Sequence, residues 1–68
     1  MIEPGILAPG TQIQLSYSHD SYPGALATVT ETRTDHGTPI YSVTMTTFVM
    51  PSDVRSIRRP DGTWTEVQ

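Results

Sequence analysis

An all-β fold, a small closed barrel of five to six short strands, is what this sequence predicts, on three observations. Through residues 10–59, apolar side chains alternate with Thr, Ser, Gln or Arg, as in GTQIQLSY, YPGALATVTETR, PIYSVTM and TFVMPSDVRSIRR. Turn-forming residues separate these segments, and none keeps a helical period beyond one turn. A period of two puts one row of side chains on a buried face and the next row on a wet one. Eleven threonines, β-branched and suited to a pleated surface, fit the same reading.

Residues 11–17 form the first expected strand, with Ile13, Leu15 and Tyr17 on one face and Gln12, Gln14 and Ser16 on the other. A polar loop over residues 18–23 leads to the second, residues 25–33, where Ala25, Ala27 and Val29 oppose Leu26, Thr28 and Thr30. Asp35-His36-Gly37-Thr38 closes a hairpin onto the third, residues 40–46, which collects Tyr41, Val43 and Met45. Residues 47–50 are a short fourth strand. Pro51-Ser52-Asp53 interrupts it as a single 3₁₀ turn, because Pro presets φ and Ser or Asp bonds back to the backbone. Residues 54–58 resume as the fifth strand, with Val54 and Ile57 available to the core. Arg59-Pro60-Asp61-Gly62-Thr63 is the strongest turn signal, with Pro at the first corner, a back-bonding Asp and a Gly for positive φ. It folds a last strand onto the fifth around residues 64–67. Residues 1–9 read as a loosely held arm carrying Ile2, Ile6 and Leu7, and residues 10–68 as the barrel with its C-terminal hairpin strand.

Sixty-eight residues make one domain. A chain of this mass exposes roughly 4,200 Å² when folded and buries about 60% of its unfolded surface. The core is therefore small, and stability is about 3–5 kcal/mol. Any large site lies on the surface or between copies. There is no cysteine, so neither disulfides nor thiolate zinc sites hold the fold. The opening MIEPGILAPG has no basic region and no long apolar run. Both observations point to a cytoplasmic protein without a membrane segment. The net charge of −3 argues against nucleic acid as the main partner. All four cationic residues are Arg, and Lys and Asn are absent, a pattern of GC-rich coding that points to a bacterium or one of its phages.

Five strands with a 3₁₀ turn before the fifth describe an SH3-like barrel. Within that outline SYSHDSYPGALATV, residues 16–29, resembles the opening of Tudor domains: an aromatic closing strand one, a short acidic loop, then Tyr-Pro and a small-apolar strand. MPSDVRSI, residues 50–57, is similar to the Tudor and Agenet ending, where a polar-Asp-apolar turn leads into the last barrel strand. The resemblance implies an aromatic cage for methylated lysine or arginine, held by cation–π contact. Carried over residue by residue, Tyr17 and Tyr22 stand where two walls would be, and Asp20 lies between them to attract a cation. Tyr41 and Phe48 border the remaining side, but the family's aromatic-rich loop is absent: the chain reads Thr44-Met45-Thr46-Thr47 there. The expected ligand groove is thus Tyr17, Asp20, Tyr22, Tyr41 and Phe48. The alternative is that Tyr17 and Tyr41 pack the core and Tyr22 covers the barrel edge, since small β domains need their few aromatics for burial.

Arg55, Arg58 and Arg59, with Arg33 beyond them, form the one basic cluster, and guanidinium groups suit phosphate or carboxylate. Strand alternation sets Arg58 opposite Arg55 and Arg59, and Asp53, Asp61 and Glu66 are near enough in sequence to pair with them. His19-Asp20 and Asp35-His36 carry ligand chemistry but fall in separate loops, so no metal is expected. With no cysteine nucleophile, no G-x-S-x-G elbow and no phosphate loop, neither catalysis nor a cofactor is expected. The type II dihydrofolate reductases are similar in outline, but their Val-Gln-Ile-Tyr run has no counterpart at Phe48-Val49-Met50-Pro51. Three functional expectations follow. One is a non-catalytic module that docks a protein segment. The second is an accessory subunit of a bacterial or phage assembly, a homo-oligomer built through the apolar arm. The third, disfavoured by net charge, is a nucleic-acid-associated factor resting on the arginines.

Overall fold

The computed structural model describes residues 5–67. They form one six-stranded antiparallel sheet: β1 Gln12–Leu15, β2 Leu26–Asp35, β3 Thr38–Val43, β4 Phe48–Val49, β5 Val54–Arg58 and β6 Trp64–Glu66. A 3₁₀ turn, Pro51–Asp53, separates β4 from β5. The strands lie in the order β4-β3-β2-β1-β5-β6.

Local chemistry accounts for the turns. His36 and Gly37 both hold positive φ, 49° and 80°, in a two-residue loop that pairs Asp35 with Thr38. That geometry matches the right-handed twist of the flanking strands. After β5 the Arg59 N–H donates to the Thr63 carbonyl at 2.7 Å, and the Asp61 carboxylate accepts from both the N–H (3.0 Å) and the hydroxyl (2.6 Å) of Thr63. The 3₁₀ turn is closed by Met50 N–H to Asp53 Oδ2 at 3.3 Å and Asp53 N–H to the Met50 carbonyl at 2.8 Å. Ser16 N–H then donates to the Asp53 carbonyl at 2.7 Å, which docks the turn against the end of β1.

Two bulges shape the sheet. Val29 pairs with Val43 and Glu31 with Ser42, so Thr30 is an extra residue in β2. Leu15 pairs with Val54 and Gln14 with Ser56, so Arg55 is an extra residue in β5. An extra residue bends its strand, sharpens the local twist and changes which residues face inward. The bent β2 serves both halves of the sheet, its start pairing with β1 and its remainder with β3. Between the halves sits one core: Leu7, Ile13, Leu15, Ala27, Val29, Tyr41, Val43, Val49, Val54 and Val67, with Tyr22, Ala25, Met45 and Ile57 packed against it.

Backbone hydrogen bonds do not close the sheet into the expected barrel. Both sides of β5 are taken, one by β1 and the other by β6, and the chain passes from β4 to β5 through a turn that bonds along itself. β4 and β6 are therefore edges. The core is nonetheless compact: the folded chain exposes 4351 Å², close to the roughly 4,200 Å² expected for its mass.

The described part of the arm is tied down. Leu7 enters the core, Thr32 Oγ1 donates to the Leu7 carbonyl at 2.7 Å, and the Tyr41 hydroxyl donates to the Gly5 carbonyl. Ile6, 77% exposed, points away from this seam. Ile2 lies outside the described residues.

Candidate functional site

The expected groove does not form as one surface. Tyr41 is fully buried and offers no face to a ligand. Its inward position follows from pairing with Val49, another core residue, across β3 and β4. Tyr22 is half-buried, packed against the core, with its hydroxyl 3.2 Å from Thr46 Oγ1. For these two tyrosines the packing alternative describes the molecule. Tyr17 is different. β1 ends at Leu15, Ser16 turns toward Asp53, and Tyr17 stands 64% exposed instead of continuing the core row of Ile13 and Leu15.

The remaining residues fall into two places. Asp20 and Phe48 share a cleft of about 270 Å³ with Ser18, His19, Ser21, Thr47 and Asp53. The loop that carries Asp20 is held from within: His19 Nδ1 accepts the N–H of Ser21 at 3.2 Å and of Tyr22 at 3.0 Å. Asp53 enters the same cleft from the 3₁₀ turn, so two carboxylates flank an exposed aromatic ring. The Arg33 guanidinium lies 5.7 Å from the centroid of the Phe48 ring, a contact made within the chain.

Tyr17 belongs to the second place, the outer face of β1, β5 and β6. There the Arg55 guanidinium sits 4.8 Å from the Tyr17 ring centroid and 3.7 Å from Glu66. Because Arg55 is the bulge residue, it shares this face with Ser56 and Arg58, which corrects the expected opposition of Arg55 and Arg58. Arg58 Nη1 donates to Gln12 Oε1 at 2.6 Å, and Ser56 Oγ donates to Gln14 Oε1 at 3.2 Å. Arg59 lines a hollow of about 360 Å³ with Arg58 and Gln12, and its Nε donates to Thr65 Oγ1 at 2.5 Å. Leu26 (64% exposed) and Trp64 (42% exposed) complete the face. Sequence reasoning had passed over both as strand residues. The available signal was that Leu26 and Trp64 interrupt otherwise polar outward rows, where burial gives them nothing to do.

His19 and His36 lie beyond opposite ends of β2, and among the described residues no group of three His, Cys, Asp or Glu side chains could hold a metal ion. Among the described residues Asp61 is the one carboxyl with a clear displacement: the Thr63 hydroxyl, then the Thr63 N–H and the Arg59 charge, hold it below its ordinary value of 3.8.

No family model, curated protein or solved structure matches this chain.

Proposed function

We propose that this chain is a non-catalytic interaction module of SH3-like type that docks a cationic protein segment in the cleft between the loop of residues 18–21 and β4. The observation that carries the reading is the convergence of Asp20, Asp53 and the exposed ring of Phe48 on one cleft from three separate elements. Carboxylates beside an aromatic face are the complement of a lysine, arginine or methylated side chain, whose charge meets the carboxylates while its alkyl part lies on the ring. The acid-rich chain draws such a segment in. The strand order with a 3₁₀ turn before β5 supports the SH3-like assignment, and the resemblance to Tudor domains supports the ligand class. The binding residues are then Asp20, Asp53 and Phe48, with Tyr41 and Tyr22 as scaffold.

The test is a titration, followed by NMR amide shifts, with a trimethyl-lysine peptide, an arginine-rich peptide and an acidic peptide of equal length. Either cationic peptide moves the amides of residues 18–21 and 47–53, and the acidic one does not. Asp20→Asn and Phe48→Ala each weaken binding about tenfold, since a partly exposed cation–π or charged contact contributes about 1 kcal/mol or somewhat more. Equal binding of the acidic peptide, or full affinity in Asp20→Asn, overturns the reading.

Self-association is the second reading, and the exposed Ile6 favours it: an apolar side chain held outward on an anchored arm is placed for a neighbouring copy. A mass that stays monomeric as concentration rises removes it.

A further inference from the structure

We infer that the outer face of β1, β5 and β6 is a second binding site, for a neutral oligosaccharide, with the ring of Trp64 as its stacking platform. Trp64 is the only tryptophan of the chain, and it stands on an edge strand, outside the core cluster. At 42% exposure much of this large ring remains open to water. Leu26, on the outer face of β2, is its apolar counterpart. Two hollows share these two residues. One, of about 220 Å³, runs toward Gln12, Thr28 and Thr44; the other, of about 450 Å³, runs toward Gln14, Ser56 and Tyr17 and is bordered by the Arg55–Glu66 pair. Both hollows thus set the apolar side chains of Leu26 and Trp64 beside amides and hydroxyls.

The cationic groups of this face already have partners within the chain, and the chain as a whole is acidic, which turns the choice toward an uncharged ligand. Arg55 is engaged by Glu66 and by the Tyr17 ring, and Arg58 by Gln12. An anionic polymer would compete with Glu66 for Arg55, and the net charge of −3 opposes it. What the face offers instead is neutral hydrogen bonding in fixed positions. The Gln14 amide is held at both ends, its oxygen by Ser56 and its nitrogen by the Gly24 carbonyl at 3.3 Å. Gln12 accepts from Arg58 through its oxygen and lines the first hollow, where its amide N–H₂ is a donor for a ligand. A sugar ring presents C–H groups on its faces and hydroxyls around its rim. The first fit an indole ring, which carries an apolar face, and the second fit amide and hydroxyl partners. A lipid surface would meet the Gln and Thr rows with nothing to satisfy them. An extended peptide gains its backbone bonds at a sheet edge, not on a sheet face.

Trp64 is also the reporter, because indole fluorescence reads this face alone. The intact chain is titrated with cellohexaose, maltohexaose and chitohexaose, then with a hyaluronan hexasaccharide and an oligonucleotide as anionic controls. The expected result is a saturable Trp64 shift with at least one neutral hexasaccharide, insensitive to salt. By calorimetry, Gln12→Ala weakens binding about tenfold, Trp64→Ala abolishes it, and Trp64→Tyr restores a measurable part. Asp20→Asn and Phe48→Ala leave it unchanged, which separates this site from the cationic cleft. If no neutral saccharide shifts Trp64 at millimolar concentration, the inference fails. A salt-sensitive response to the anionic ligands alone, or a concentration-dependent shift without ligand that marks a dimer on this face, overturns it as well.

Discussion

Replacing Tyr41 with Phe separates its structural role from the ligand role expected for it. The ring is fully buried and its hydroxyl reaches the Gly5 carbonyl, so the substitution keeps the packing and removes one bond between β3 and the arm. A typical intramolecular hydrogen bond contributes about 0.5–1.5 kcal/mol. Gly5 is half-exposed, and water can take over its carbonyl once the hydroxyl is gone, so the loss sits near 1 kcal/mol. In a domain of this size that lowers Tm by roughly 4–8 °C. Tyr41→Ala is a harsher change, about 3–5 kcal/mol for a large aromatic, as much as the whole stability of about 3–5 kcal/mol available here; that variant does not fold. Circular dichroism melts of the Phe variant give the stability. Hydrogen exchange locates the loss, with the amides of Gly10 and Thr11, which bond at the base of the arm, exchanging faster while those of β2 change least. An unchanged Tm with unchanged exchange refutes the arm-anchoring role. Unchanged stability with lost binding of a cationic peptide refutes the assignment of Tyr41 to the scaffold.

Gly24 has φ +70°, and a Cβ there would stand 2.5 Å from the Tyr17 ring; Gly24→Ala costs about 1–2 kcal/mol for the left-handed backbone alone and displaces the ring from Arg55, which a change in the Arg55 side-chain NMR shifts reports. The Asp61 carboxyl titrates below its ordinary value in the folded chain, so its contribution is present above about that value of 3.8 and is lost as pH falls through the folded value. Urea denaturation should therefore show Asp61→Ala less stable than the parent chain at neutral pH, with the difference shrinking in strong acid; a difference that persists there refutes the carboxylate's role in the turn.

Strand positions and turns were legible in the sequence because each follows from a few neighbouring residues. Proline before Ser-Asp made the 3₁₀ turn, and His-Gly and Pro-Asp-Gly made the two hairpin loops. Closure was not legible: the turn predicted β6 on β5, but whether the two end strands, β4 and β6, then meet depends on how far the sheet bends, and they remain edges. The burial of Leu7 was also hidden, since nothing local in the opening segment says that Thr32 and Tyr41 will hold it. Asp20 and Phe48 were both named for the groove, but their meeting in one cleft depends on the tertiary docking of the 3₁₀ turn on Ser16. Tyr17 and Tyr41 had the same inward parity on paper; one is surface and the other core because β1 stops at Leu15 and β3 runs past Tyr41.

The bulges decide what both surfaces present, and their traces were in the sequence. Extending the inward row of Ala27 and Val29 without interruption would bring Glu31, Arg33 and Asp35 to the core, three charges with no partner there, at a cost the small apolar core could not offset. The extra residue Thr30 turns Thr32 inward instead, where its hydroxyl meets the Leu7 carbonyl, and sends Arg33 out over Phe48. In β5, Val54 and Ile57 are three residues apart, so no straight strand can direct both inward. The extra residue Arg55 resolves this: Ile57 pairs with Ile13 and packs on the core, while Arg55 lands on Tyr17 and Glu66. Each bulge thus moves an arginine onto an exposed aromatic. On the β6 side this sets Arg55 between Tyr17 and Glu66 at the border of the face around Trp64. On the β4 side Arg33 occupies one approach to Phe48, and a cationic ligand must enter from the side of Asp20 and Asp53.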